Sequence, residues 1–397
     1  MLSALVLLTA GCSDDAPPPS ADATTDPAVV TSSSGESTAS QPTSATASGD
    51  DSVDTTGTPA TDTGPSPTTS TTDTDTTGEP ADDDLCDVGG WDGAPPQVLS
   101  LTGNTFAHDP TMIEADGTYY RFWTGPDVPS ASSTDLLHWT DAPPAFQGGY
   151  PPWVGQWLGS IPGEQFNFPW APDVSYFEGQ YHLYSSFSAV FGDNISCITH
   201  LTTEDPAAGG WVDHEPVICS DGSESYNAID ADVGVDLEGT PWLAFGSFWD
   251  GIMAFELAPD GSRASDELHH LAWAPQIEAP VLFRRCGYYY LFVSWGVCCP
   301  GANPPDLVSY RVAVGRSEDI MGPYVDREGV PMVDGGGTLI LEGDGVDWVA
   351  AGHSDVLATD DAIYHLYHAY EQGSNAAVFR MAELMFDDDG WPVPHPP

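Results

Sequence analysis

Five times along this chain the same short plan recurs: a polar residue, a β-rich run, an acidic or glycine turn, then an aromatic strand. The copies read HDPTMIEADGTYYRFW from His108, APDVSYFEGQYHLYSSF from Ala171, IDADVGVDLEGTPWLAFGSF from Ile229, EAPVLFRRCGYYYLFVSW from Glu278 and HSDVLATDDAIYHLYHAY from His353. Their turns, Asp116-Gly117, Glu178-Gly179, Glu238-Gly239, Cys286-Gly287 and Asp360-Asp361, are of the kind that closes β-hairpins. Anchors at 109, 171, 230, 278 and 353 step by 62, 59, 48 and 75 residues, an average of 61. A unit of that length with room for two hairpins matches one four-stranded propeller blade, and five units fill residues 86–397. The expected fold is all-β, a five-bladed β-propeller forming one domain over 86–397.

In a propeller, equivalent positions at the start of each inner strand converge on the central axis. Counting back eight or nine residues from each turn gives Asp109, Ala171, Asp230, Glu278 and His353. Three carboxylates and a histidine should therefore meet at one mouth of the channel, with Asp173 on the same side but deeper. Crowded carboxylates cannot all ionise freely, so one pKa must rise. Such a site can hold a protonated acid beside an ionised base, the pair that glycoside hydrolysis requires. The competing reading makes these acids turn residues or calcium ligands that close the propeller.

Charge and composition narrow the partners. The chain has 60 acidic residues against 8 basic ones, all arginine, so it cannot assemble a phosphate-binding patch or dock electrostatically on anionic lipid. Residues 13–85 carry 15 acids, no base and no aromatic, and are expected to be a disordered tether, because they cannot bury enough apolar surface to offset ordering. As a flexible coil that tether spans about 45–50 Å. Residues 1–12, MLSALVLLTAGC, hold an apolar run too short to cross a bilayer and read as a signal peptide ending in a lipobox-like Cys12. The expectation is an exported protein, at the cell surface or facing the periplasm as a lipoprotein and otherwise secreted, whose only membrane contact is a lipid anchor at Cys12. Export permits disulfides. Cys86, Cys197, Cys219, Cys286, Cys298 and Cys299 allow many pairings; a Cys197–Cys219 bridge between adjacent strand-like runs is plausible, and the adjacent pair could join each other or separate partners. No CxxC occurs, which argues against a zinc–thiolate site.

The ordered stretches HDPTMI, DGTYYRFWTG, SSTDLLHW, FPWAPDV, YHLYSSFSAVFGDNISCI, YNAID, WLAFGSFWDGI, IEAPVLF, GYYYLFVSWGVCC, VGRSEDIMGPYVD, GGGTLI and YHLYHAY closely resemble the family 43 glycoside hydrolases, and within them the α-1,5-L-arabinanases. The resemblance implies inverting hydrolysis of α-1,5-L-arabinofuranosidic bonds in arabinan, including pectin side chains, with endo action favoured. In that pattern Asp109 of HDP matches the general base, Glu278 of IEAP the general acid, and Asp230 of NAID the third carboxylate that keeps the acid protonated and oriented. An inverting pair should stand about 6.5–9.5 Å apart. Trp170 and Phe191 match aromatics around the sugar, Asn227 and Ser247 could bond its hydroxyls, and His353 matches a histidine beside a bound metal, usually calcium. Asp173 is expected to be structural. Ala231 stands where the family usually has proline, with Asp232 next, which leaves open which of Asp230 and Asp232 points inward. Glu215, His200 and Trp295 also depart from the usual residues, and residues 147–168, with Trp153 and Trp157, are long enough to block one end of a cleft. A monomer is expected. The alternatives are an exo-acting arabinofuranosidase or xylosidase of the same fold, and a glycan-binding propeller without catalysis.

Overall fold

A computed structural model describes residues 85–300, 303–304 and 307–397; the expected signal peptide, Cys12 and the tether over 13–84 lie outside these. The described residues form five sheets. The first blade holds β1 (Thr102–Gly103), β2 (Thr111–Ala115), β3 (Thr118–Phe122), β4 (Ser130–Ser133) and β5 (His138–Ala142). The second holds β6 (Trp170–Phe177), β7 (Gln180–Ser188), β8 (Ile195–Thr203) and β9 (Val212–Asp221). The third holds β10 (Asp232–Val235), β11 (Pro241–Phe245), β12 (Ile252–Glu256) and β13 (His269–Ala272). The fourth holds β14 (Ile277–Arg285), β15 (Tyr288–Trp295), β16 (Arg311–Ser317) and β17 (Thr338–Glu342), and the fifth β18 (Trp348–Ala358), β19 (Ile363–Glu371) and β20 (Ala377–Glu383). The innermost strands β2, β6, β10, β14 and β18 pack each against the next, and β18 against β2, so the ring closes into the expected five-bladed propeller.

Local chemistry explains the blades. Asp116-Gly117, Glu178-Gly179 and Cys286-Gly287 all have positive φ at both residues and join strands paired at the residues on either side, the two-residue turn whose twist suits a hairpin. Each interface between blades has its own apolar core, such as Phe122 and Ile113 against Leu183 and Phe187, or Leu243 and Phe245 against Tyr184 and Ile198. The fifth sheet has only three strands, and residues 97–106, ahead of the first blade's inner strand, complete it. Leu99 donates its N–H to Met381 and Glu383 donates to Gln97, while Thr102 and Gly103 pair in parallel with β5 of the first blade. Arg121 holds that closing segment from within. Its guanidinium donates to the carbonyls of Asn104 and Phe106 and lies between the rings of Trp123, Trp139 and Phe379.

Three disulfides are present among the described residues. Cys197–Cys219 joins β8 to β9 as expected, Cys298 and Cys299 bond to each other, and Cys86–Cys286 fastens the start of the domain to the fourth blade's first turn. Residues 147–168 contain a short helix, α1 (Pro152–Leu158), whose Val154 is buried and whose Trp153 and Trp157 pack on the core between the first two blades. Trp153 also donates to Asp213, so these two tryptophans are turned into the fold.

Candidate active site

Every blade has one left-handed residue at an equivalent place, just before or within the inner strand: Asp109 (φ 53°), Ala171 (41°), Asp230 (59°), Ala279 (53°) and His353 (45°). In four blades that residue's N–H goes to a side chain on or just past the second strand of the preceding blade. Ala171 donates to Thr124 Oγ1 (2.7 Å), Asp230 to Ser186 Oγ (3.1 Å), His353 to Ser294 Oγ (2.8 Å) and Asp109 to His368 Nδ1 (3.0 Å). In the fourth blade the N–H of Ala279 goes instead to the Asp230 carboxyl. One correction to the sequence count follows. Ala279, not Glu278, occupies the repeated position: it has the left-handed φ and lies in a bulge of its inner strand, as Ala171 and His353 do in theirs. Glu278 sits one residue earlier, opposite Ser294 on β15.

That offset gives Glu278 its own partners. Ser247, just past β11, donates its hydroxyl to Glu278 Oε2 (2.9 Å), and the buried Tyr310 hydroxyl bonds the same carboxyl. Burial raises the pKa of Glu278; these two hydrogen bonds oppose the rise, and the charge of Asp109 adds to it. Burial likewise holds Asp230 well above the carboxylate range, with Glu278 and then Asp109 pushing the same way. Asp109 behaves oppositely. Burial works to raise its pKa, but His108 and His353, and more weakly His368, outweigh that and hold Asp109 well below the carboxylate range. Its Oδ2 accepts the Thr124 hydroxyl at 2.5 Å and lies 2.8 Å from His108 Nδ1, and its Oδ1 lies 3.0 Å from His353 Nδ1. Three carboxyl groups within electrostatic reach are thus divided into one held ionised and two biased toward the proton.

A second tier lies two residues further along. Thr111 Oγ1 accepts the N–H of Val174, Asp173 that of Val233, Asp232 that of Leu282 and Asp355 that of Met112, so each of these side chains ties its strand to the next blade. Asp173 has its pKa pushed up by burial and then by the charges of Asp232 and Asp355. The open question about the third carboxylate has a geometric answer: Asp230 faces Glu278 and Asp109, whereas Asp232 faces Asp173. Between the tiers is a small cavity lined by Asp173, Asp230, Asp232, His353, Ser354 and Asp355. Asp173 Oδ2 and Ser354 Oγ are buried there without a hydrogen-bond partner among the described residues.

Trp170 and Phe191 stand edge to face with centroids 6.0 Å apart, both half-buried on the second blade. Asn227 is buried, and its Oδ1 has no partner among the described residues. Ser247 points its proton at Glu278. Two groups of ligand-type atoms lie close together, His108 with Asp109 and His368, which could hold a metal ion, and His108 with Cys298 and Cys299, whose sulfurs are joined as a disulfide and offer no thiolate. His353 belongs to neither group, although it touches Asp109. His200 is buried against His182, with Nε2 2.9 Å from His182 Nδ1, far from the carboxylates in the blade plan. Glu215 is exposed at a left-handed position of β9, and Trp295 packs on the core shared by the third and fourth blades. Thr124, Tyr310, His108 and His368 carried no assigned role in the sequence. The first and the two histidines stand inside the quoted motifs, whereas Tyr310 lies in a connector with no motif at all.

The profile of the glycosyl hydrolases family 43 matches residues 101–392. The chain is 36% identical over 301 residues to an extracellular endo-α-(1→5)-L-arabinanase of Bacillus subtilis, covering 73% of this chain and 88% of that protein. It is 37% identical over 306 residues to an extracellular exo-α-(1→5)-L-arabinofuranosidase of Cellvibrio japonicus, covering 72% and 85%. Among solved structures, a family 43 endo-arabinanase from Bacillus licheniformis superposes with a TM-score of 0.67 at 36% identity, over 74% of this chain and 99% of that one.

Proposed function

Since the chain belongs to glycosyl hydrolases family 43, we propose that it is an exported hydrolase of arabinan that cuts α-1,5-L-arabinofuranosidic bonds with inversion, by endo action. The single observation that carries this reading is the placing of two buried carboxyls in one mouth with opposite surroundings, Asp109 against His108, His353 and the Thr124 hydroxyl, and Glu278 in a buried site with only the Ser247 and Tyr310 hydroxyls on it. Ionised Asp109 takes a proton from water as the water oxygen bonds to the anomeric carbon. Glu278 gives its proton to the departing sugar oxygen as that bond breaks. Asp230 accepts the Ala279 N–H and so fixes the peptide that carries Glu278. Trp170 and Phe191 offer apolar faces to the sugar ring, and the free acceptor of Asn227 suits a hydroxyl. A neutral glycan also suits a domain with so few cations, since a polyanion would be repelled.

The oxygen donors of Asp173, Asp232, Ser354 and Asp355, which line the cavity beside His353, suit a calcium ion, which favours oxygen ligands. His353 with water would hold it, because the Nδ1 contact with Asp109 leaves the Nε2 lone pair available. Bound there, it would offset the carboxylate charge of the second tier. The resemblance of both an endo- and an exo-acting relative keeps the exo reading as the alternative.

The test is to incubate the protein with linear α-1,5-arabinan and resolve products by size over time. A ladder of oligomers early in the reaction supports endo cleavage. One fixed short product supports exo action, and binding without any product overturns the hydrolase reading for this polymer.

A further inference from the structure

The contacts on the far side of Asp109 are not those of a simple packed core. His108 lies between the base and a buried cluster, stacked on His368 with centroids 4.4 Å apart. Its Nδ1 is 2.8 Å from Asp109 Oδ2. Its Nε2 is 3.0 Å from the Tyr370 hydroxyl and 3.5 Å from Cys299 Sγ, and Cys299 is bonded to Cys298. Tyr370 and Cys299 are both buried.

We propose that His108 is a positioning residue for Asp109, and that Tyr370 and the Cys298–Cys299 disulfide fix the tautomer in which it works. An imidazole carries one N–H when neutral, and the group facing the other nitrogen decides where that proton sits. The ionised Asp109 carboxylate can only accept, so it takes a proton on Nδ1, and the Tyr370 hydroxyl supports that tautomer when it donates to Nε2 at 3.0 Å rather than to Cys299 Sγ at 3.8 Å. A disulfide sulfur carries no hydrogen and draws none from the ring. A Cys299 thiol in the same place would compete with Tyr370 for Nε2, and a thiolate would pull the ring proton to Nε2 and away from Asp109. The disulfide therefore keeps a competing group from the back of the base. The inference rests on Asp109 being the base.

The test uses the whole protein and linear arabinan, with melting temperature as a control for folding. His108→Ala should lower kcat about 10- to 100-fold, the worth of one charge-assisted hydrogen bond, with KM within about threefold. His108→Asn should recover most of that loss, because its amide N–H stands where Nδ1–H stood. Cys298→Ala, which leaves a Cys299 thiol against Nε2, should be slower than the Cys298→Ala/Cys299→Ala double variant. In the His108→Ala background Cys298→Ala should cost nothing more. A His108→Ala kcat within about twofold of the parent overturns the proposal. So does His108→Asn as slow as His108→Ala, or an undiminished effect of Cys298→Ala without the imidazole. Should His108→Ala fail to fold, His108→Asn and the two cysteine variants still decide. An Asp109→Ala variant that keeps full activity would instead remove the base reading on which the proposal stands.

Discussion

Removing the Ser247 hydroxyl separates two roles that the sequence left undivided. Ser247 is buried, and its proton goes to Glu278 Oε2 at 2.9 Å. A hydrogen bond to an ionised group is worth about 1.5–3 kcal/mol, against about 0.5–1.5 for a neutral one. Ser247→Ala therefore costs the ionised form of Glu278 about 1–2 kcal/mol more than the protonated form. At 1.36 kcal/mol per pKa unit, its pKa should rise by about 1 unit. Glu278 must hold a proton to act, so activity falls as pH climbs through its pKa. The alkaline limb of kcat/KM should accordingly move up by about 1 pH unit in Ser247→Ala, while the acid side of the profile, where Asp109 stays ionised, is unchanged. The assay is initial-rate release of reducing ends from arabino-oligosaccharides across the pH range. An unmoved alkaline limb with a raised KM would refute the reasoning and return Ser247 to the sugar.

Two further outcomes follow from buried histidines and the channel. His182 and His200 lie against each other with pKa values lowered to about 4 and about 3, by burial first, and an unfolded histidine titrates near 6.5. The folded state therefore binds fewer protons below pH 6.5, and stability present above that value is lost as pH falls toward 4 and 3. At pH 5 each histidine should cost about 2 kcal/mol relative to pH 7. Denaturant unfolding at both pH values should show the pH-dependent loss shrinking by about that amount in His200→Ala, and an unchanged loss would contradict it. Chelator should lower the melting temperature of the parent, calcium should restore it, and His353→Ala should respond to neither. A chelator effect undiminished in that variant would place the cation elsewhere.

The blade count was legible because the hairpin turns and the aromatic strands repeat, and Asp116-Gly117 or Cys286-Gly287 need only their neighbours to form. The position of Asp109 and Asp230 was legible for the same reason. The offset of Glu278 was not, since Glu278 stands nine residues before Gly287 just as Asp230 does before Gly239, and only the positive φ of Ala279 shows which residue holds the repeated position. The clamps between blades were hidden for another reason. Asp173 meets Val233, Asp355 meets Met112, and His368 meets Asp109, pairs drawn from different blades and identifiable only once the ring has closed. Closure itself depends on residues 97–103, which share none of the repeat, and on Arg121, a lone charge in an aromatic run whose burial only three surrounding rings explain.

The most direct test of the acid and base assignments compares Asp109→Ala and Glu278→Ala on two substrates, linear arabinan and an arabinofuranoside with a dinitrophenolate leaving group. That leaving group departs without a proton, so it needs the base but not the acid. Asp109→Ala should lose activity on both, whereas Glu278→Ala should fail on the polymer and keep most of its rate on the activated substrate. Equal loss on both substrates in the two variants, or polymer cleavage surviving in either, would contradict the assignment.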